Sequence, residues 1–447
     1  MCNKHDLPPP KGMTEGSLLL IVGWRLIVYP LYSYSASLSL VAQAALLHYA
    51  ERVQNQLAGP SATRRARHLG EVTMKITAAV LMRDGITKNF AAEAPLEVRE
   101  VDLAPPGRGE VLIRVGAAGV CHSDLSVING TRPRPLPMAL GHEASGYVEK
   151  IGEGVDDLKV GDHVVCIFAP GCRHCNPCAE GRPALCERAA KHHGVGELMT
   201  GARRLSMDGQ PINHHVGVSA FATHAVLDRR SLVKVEHDLP AHVSALFSCA
   251  MLTGAGAVFN TARILPGQTV AVIGLGGVGL SAVLGAAAAG AGRVIAIDPF
   301  ESKMDAARSM GATDCIKADG DTIQAVRDMT NGGVDCAIEL AGSVKALETA
   351  YEITRRGGLT VTAGLPHPDQ RMALNALKLV AEERTLKGSY IGSCVPQRDL
   401  PRMFALYEQG KLPVEKMLSH RIRLDEINLA MDRLNDGTAI RQIVDFS

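Results

Sequence analysis

The chain has 447 residues, 47 of them basic and 46 acidic, for a formal net charge of +1 at pH 7. Such a balance gives no field to attract nucleic acid or polyanionic substrates, and one Trp with 8 Phe offers no platform for stacking bases. The length exceeds one average domain, so two are expected, and a core of that size needs no covalent staples. The 11 cysteines are therefore read as metal ligands and core residues, not as a disulfide framework.

Residues 1–73 carry no motif. The apolar stretch 18–30 is broken by Arg25 and is too short to span a membrane; it also lacks the cleavage pattern of a signal peptide. Residues 36–50 read as a helix, and Arg64, Arg65, Arg67 and His68 form a basic cluster. Three readings of this extension stand side by side: a start codon placed too far upstream, a disordered or loosely helical extension, and a targeting or membrane-surface segment. Residues 74–80 read as the first strand of the folded part, which stays strand-like and Gly-rich well beyond that point.

Chemistry-bearing residues then follow in order. Cys121 stands in Gly119-Val120-Cys121-His122-Ser123-Asp124, and His142 and Glu143 stand between Gly141 and Gly146, glycines that permit tight backbone geometry. Cys172, Cys175, Cys178 and Cys186 lie among the turn residues Gly171, Asn176, Pro177, Gly181 and Pro183. Two-residue gaps let a tight loop aim three sulfurs at one centre while a longer loop returns the fourth, the pattern of a closed, structural zinc site. Histidines 192–193 and 214–215 read as loop residues, and Cys166, Cys315, Cys336 and Cys394 as core. Cys249 follows in an apolar run ending in Thr253-Gly254.

From about Leu252 strands and helices alternate. Strands are expected at 269–273, 293–298, 313–316, 334–340, 358–364 and 385–390, which makes a doubly wound parallel sheet. The first is followed by Gly274-Leu275-Gly276-Gly277-Val278-Gly279 and an Ala-rich helical stretch, as a pyrophosphate site requires. The second ends on Asp298, 19 residues after Gly279, where a carboxylate can take both ribose hydroxyls of NAD and would repel the extra phosphate of NADP.

Together these motifs make the chain resemble the zinc-containing alcohol dehydrogenases of the medium-chain dehydrogenase/reductase superfamily, over residues 74–447. The resemblance implies a GroES-like, mainly β catalytic domain at 74–251, a Rossmann NAD-binding domain at 252–392, and a return to the catalytic domain at 393–447, with 1–73 outside the fold. It makes Cys121, His142 and Cys249 the ligands of a catalytic zinc, a ligand set that general accounts of zinc enzymes already give for alcohol dehydrogenase. It also implies a second, structural zinc on the four clustered cysteines. Glu143 would sit behind the metal, Ser123 would bond the alcohol oxygen, Asp124 would orient His142, and Phe168 would wall the substrate pocket. Gly274, Gly276, Gly277, Val278, Gly279, Asp298, Lys303, His122, Thr253 and Arg441 would serve the cofactor. Ser126 stands where many relatives carry a proton-relaying histidine, so the proton route departs from the family pattern. The implied activity is reversible oxidation of an alcohol to an aldehyde or ketone, with hydride passed to NAD, by a cytoplasmic homodimer or tetramer acting on small molecules.

Two alternatives remain at this stage. One is a glutathione-dependent formaldehyde dehydrogenase, suggested by the long stretch 186–217. Against it, Ala190 stands near that class's anion-binding arginine, although Arg132 and Arg134 could supply cations from another loop. The other is a non-catalytic, zinc-stabilised NAD-binding protein.

Overall fold

In the computed structural model, whose described residues are 15–22, 25–32 and 73–446, the chain divides into two units, 1–71 and 72–447. In the first, the apolar stretch 18–30 is shared between two strands, Glu15–Val22 and Arg25–Tyr32, paired antiparallel with Val22 opposite Arg25. The expected helix at 36–50 and the basic cluster at 64–68 lie outside the described residues.

The second unit opens, as expected, on the strand Met74–Leu81. This strand closes a small barrel with Leu96–Leu103, Met138–Ala139, Leu205–Met207 and Gln210–His214. Beside it in sequence runs a seven-stranded sheet built on Glu110–Val120, which pairs antiparallel with Glu143–Ile151 so that Gly119 faces Glu143. That register has a chemical consequence: Cys121 leaves one strand at the end where His142 enters the other. The last strand, Arg441–Asp445, pairs with the other edge of Glu110–Val120, Gln442 opposite Val120, and so delivers Arg441 to the same end. Leu418–Ile422 extends the sheet by pairing parallel to it.

Six parallel strands form the other large sheet. Thr269–Ile273 and Arg293–Asp298 match the expected bounds residue for residue, and Asp314–Lys317, Val334–Glu339, Thr354–Thr362 and Thr385–Gly388 follow with ends shifted by a few residues. Numbered along the chain, their spatial order is third, second, first, fourth, fifth, sixth, which puts a crevice beyond the carboxyl end of the first strand. The helical run Ala241–Ala262 is long and apolar enough to cross a membrane, but 83% of its most apolar stretch is buried, as in a core helix. Two stretches of it, Phe247–Met251 and Ala257–Ala262, widen to π-helix, and Cys249 sits in the first.

Of the histidines read as loop residues, 192 and 193 lie in a helix and 214 in a strand, while 215 lies in a buried bend. His193 ends a short helix at 6% exposure, His214 ends a strand at 1%, and His215 is buried at 3%. Of the four cysteines expected in the core, Cys166, Cys336 and Cys394 are buried and Cys315 is half-buried. Burial pushes His193 down to about 4 and His214 down to about 3, helped at His214 by the Arg203 charge. Both rings are therefore neutral in the fold, and His214 Nε2 accepts a hydrogen bond from Arg204 N at 3.0 Å. The unfolded chain binds these protons near pH 6.5, so stability falls as the pH drops from about 6.5 towards 4. His214→Gln, whose side-chain oxygen can replace the acceptor, should lose less melting temperature than the parent between pH 7 and 5. Equal losses would show that His214 is not part of this acid sensitivity.

Candidate active site

Cys121 caps the helix His122–Ile128, and Asp124 closes the cap: its Oδ2 accepts from Cys121 N at 3.2 Å. The other oxygen, Oδ1, accepts from Gly141 N at 3.3 Å and lies 3.0 Å from His142 Nδ1. One buried carboxylate thus ties together the two segments that carry Cys121 and His142, and orients the imidazole. Burial opposes its charge, but His142 and His215 outweigh that and hold the carboxyl below its ordinary value. With Nδ1 engaged, His142 Nε2 is left buried and without a hydrogen-bond partner, 3.7 Å from Glu143 Oε1. The potential ligand atoms of Cys121, His142, Glu143 and Cys249 all lie within 4.8 Å of one another. Thr253, expected at the cofactor, lies four residues beyond Cys249 in the same helical run.

Phe168 and His215 wall this centre, each set edge-on to His142 with ring centroids 5.1 and 5.3 Å away. His215 was not anticipated; its Nδ1 lies 3.2 Å from the Asp124 oxygen that His142 uses. Glu143 turns its Oε2 to Arg441 in an ion pair, both side chains almost fully buried.

From Cys121 a cleft of about 670 Å³ runs along the glycine loop to Asp298 and Lys303, with His122, Ser123 and Ser126 on its wall. Gly274 has φ +91°, and a Cβ on Gly279 would lie 1.7 Å from Gly274 O, so the turn excludes larger residues. Gly276 has no neighbour within 4 Å of a would-be Cβ, so the backbone stays open to a ligand there. Val278 lies in the first turn of the helix Gly277–Ala288, the end that favours an anion. Asp298 accepts from Leu275 N at 2.7 Å and Phe300 N at 2.9 Å, and Lys303 Nζ lies 3.5 Å from it. The Ser126 hydroxyl is spent on His122 O at 2.8 Å.

In the second cluster the ligand atoms of Cys172, Cys175, Cys178 and Cys186 also fall within 4.8 Å of one another. Backbone N–H groups of His174 and Cys175 point at Cys172 Sγ and pull that thiol down to about 6.

Two family models match the chain: the alcohol dehydrogenase GroES-like domain over residues 107–237 and the zinc-binding dehydrogenase domain over 277–409. An S-(hydroxymethyl)glutathione dehydrogenase of Escherichia coli is 39% identical over 360 residues, covering 79% of this chain and 97% of the relative. The chain belongs to the zinc-dependent alcohol dehydrogenases of the medium-chain dehydrogenase/reductase superfamily. Solved members superpose well on this alcohol dehydrogenase. A zinc-binding-domain alcohol dehydrogenase from Burkholderia ambifaria gives a TM-score of 0.79 at 32% identity, over 84% of this chain and 100% of that one. Benzyl alcohol dehydrogenase from Acinetobacter calcoaceticus gives 0.78 at 33%, with the same coverage.

Zinc and a nicotinamide cofactor are the groups this alcohol dehydrogenase family employs, and the residues present fit both. An orphaned imidazole nitrogen among two thiols and a carboxylate suits a metal with an open position, and four thiols supported by N–H groups suit a closed one. The open backbone at Gly276 and the acid at Asp298 suit a dinucleotide.

Proposed function

We propose that this alcohol dehydrogenase holds a catalytic zinc on Cys121, His142 and Cys249 and a structural zinc on Cys172, Cys175, Cys178 and Cys186, and that it passes hydride to NAD. The observation that carries the reading is His142 Nε2, buried with no hydrogen bond and clustered with the sulfurs of Cys249 and of Cys121, which lines the cleft that runs to the glycine loop. When bound, the zinc supplies a Lewis acid that acidifies the alcohol hydroxyl, and the nicotinamide supplies the hydride acceptor.

The chain's own residues bind, orient and exclude. Asp124 fixes the His142 tautomer so that Nε2 stays unprotonated and available. Glu143 and Arg441 neutralise each other behind the centre, so no net charge is added there. Phe168 packs an apolar edge against His142 and keeps water off one side. Ser123, on the cleft wall, is the hydroxyl that would hydrogen-bond the alcohol oxygen, and the substrate proton would leave to water. Ser126 cannot pass it onward, because its own proton is donated to His122 O, and serine has no pKa near neutrality. His122 borders the pyrophosphate end of the cofactor, and Arg441 packs its aliphatic stem on Gly277 of the phosphate loop.

Asp298 and Lys303 are the residues we assign to the adenosine ribose. NADP should then be disfavoured, since its phosphate would meet a buried carboxylate, and Asp298→Gly should raise the NADP-to-NAD ratio of kcat/KM by about tenfold or more. A parent enzyme equally efficient with both cofactors would contradict the assignment. The reading as a whole is tested by NAD reduction over aliphatic, allylic and benzylic alcohols, with and without glutathione plus formaldehyde. That last arm addresses the second reading, a formaldehyde dehydrogenase acting on the glutathione adduct, which the name of the Escherichia coli relative favours.

Two further assignments belong to this proposal. All the described cysteines are free thiols, which suits a reducing cytoplasm. Leu377 and Val380, each 76% exposed on the helix Ala376–Ala381, lie near the exposed edge strand Thr385–Gly388 in sequence and give a homodimer an apolar surface.

A further inference from the structure

Phe168 and His215 pack edge-on against His142 alike. A phenyl ring does this without burying any polar atom. His215 does not: its Nδ1 lies 3.2 Å from Asp124 Oδ1, in a geometry that stops short of a hydrogen bond, and is buried with no other partner. A buried polar atom without a full hydrogen bond is destabilising, so its place beside the reaction centre calls for a reason. The backbone around it is unfavourable as well. Val216 and Ser219 hold φ of +43° and +57°, a left-handed region that a β-branched residue rarely enters, and Gly217 between them has φ +73°. That bend is tied to the segment that carries His142. His215 N donates to Ser219 Oγ at 2.9 Å, Ser219 Oγ donates to Ala139 O at 2.8 Å, and Phe221 N and Ala220 N donate to Leu140 O and Gly141 O, both at 3.0 Å.

In either charge state of the ring, a carboxylate oxygen 3.2 Å from His215 Nδ1 keeps a proton on that nitrogen. Asp124 Oδ1 therefore faces two imidazole N–H groups, that of His142 at 3.0 Å and that of His215 at 3.2 Å, besides Gly141 N at 3.3 Å. One carboxylate oxygen has fewer lone pairs than these donors would use, so what one ring takes from it the other loses.

We infer that His215 is a positioning residue that tunes the reaction centre: its Nδ1–H shares Asp124 Oδ1 with His142 and so weakens the hold of His142 on the catalytic zinc. This rests on the reading of Cys121, His142 and Cys249 as that zinc's ligands. An imidazole that donates from one nitrogen to a carboxylate becomes a stronger base towards a metal on the other. Drawing part of the carboxylate's charge to a second N–H reverses part of that effect. The metal is then bound less tightly and stays the stronger Lewis acid towards the alcohol hydroxyl.

The test is zinc release from the zinc-loaded full chain to pyridine-2,6-dicarboxylate, followed beside alcohol-dependent NAD reduction, in His215→Phe, His215→Gln and His215→Asn. The phenyl ring keeps the packing and removes the donor. The Gln amide nitrogen falls near the place of Nε2, away from Asp124, whereas the Asn amide nitrogen falls near that of Nδ1. His215→Phe and His215→Gln should release the zinc that supports turnover about three- to tenfold more slowly than the parent, and kcat should fall by a similar factor. The Kd for NAD and the release of the structural zinc should not change. His215→Asn should stay near the parent in both rates. Faster zinc release from His215→Phe would overturn the inference, because His215 would then prop Asp124 and not compete for it. Identical behaviour of the Asn and Gln variants would overturn it too, since the position of the donor would not matter. So would unchanged release and turnover in every variant, which would leave the ring a wall and nothing more. A parent chain whose activity does not follow zinc release would instead sink the reading of the reaction centre.

Discussion

Cys249→Ser should give a folded enzyme that retains one zinc per chain and loses at least about a thousandfold in kcat, because several kcal/mol of charge stabilisation leave with the metal. The expectation rests on the position of Cys249 inside a buried helical run whose packing does not depend on the thiol. Cys186→Ser should do the opposite. Its sulfur accepts from Cys172 N at 3.3 Å and from Ala189 N at 3.5 Å, so its loss loosens the lobe itself. That variant should be less stable and poorer in yield, with whatever folds still active. Metal analysis, circular dichroism and turnover on the two variants separate the roles, and an active Cys249→Ser would refute them.

Arg441→Leu should cost about 3–5 kcal/mol of stability, since it strands the Glu143 carboxylate, 0% exposed, without its counter-charge. Replacing both by apolar residues should recover much of the loss, because the double variant buries no charge at all. Denaturant titration of the single and double variants measures this directly. A single-variant loss below about 1 kcal/mol would mean that the carboxylate finds another partner or takes up a proton. The same substitution uncovers the Gly277 face of the phosphate loop, so the Kd for NAD should rise alongside.

Much of this was legible in the sequence, and the reasons differ from element to element. Thr269–Ile273 and Arg293–Asp298 are continuous apolar runs with sharp glycine or polar ends, and a strand buried on both faces reads that way. The fifth strand begins at Thr354, four residues before the expected 358, because Gly357 and Gly358 read as a break whereas the chain continues in the ladder across a register shift. The four-cysteine lobe and the Cys121, His142 and Cys249 positions carry spacing or neighbouring motifs. The Glu143–Arg441 pair spans almost the whole folded unit, and only the antiparallel register of Arg441–Asp445 against Glu110–Val120 brings it together. His215 lacked any motif; its one signal was the adjacent, equally unexplained His214 in a Gly-flanked segment.

The most direct test of the central claim is zinc content and alcohol-dependent NAD reduction measured on one fresh preparation of the full chain. Close to two zinc ions per chain, with activity lost as the first is removed by chelation and stability lost with the second, is the expected result. Full activity with one zinc or fewer, or two zincs and no nicotinamide reduction with any alcohol, would contradict it.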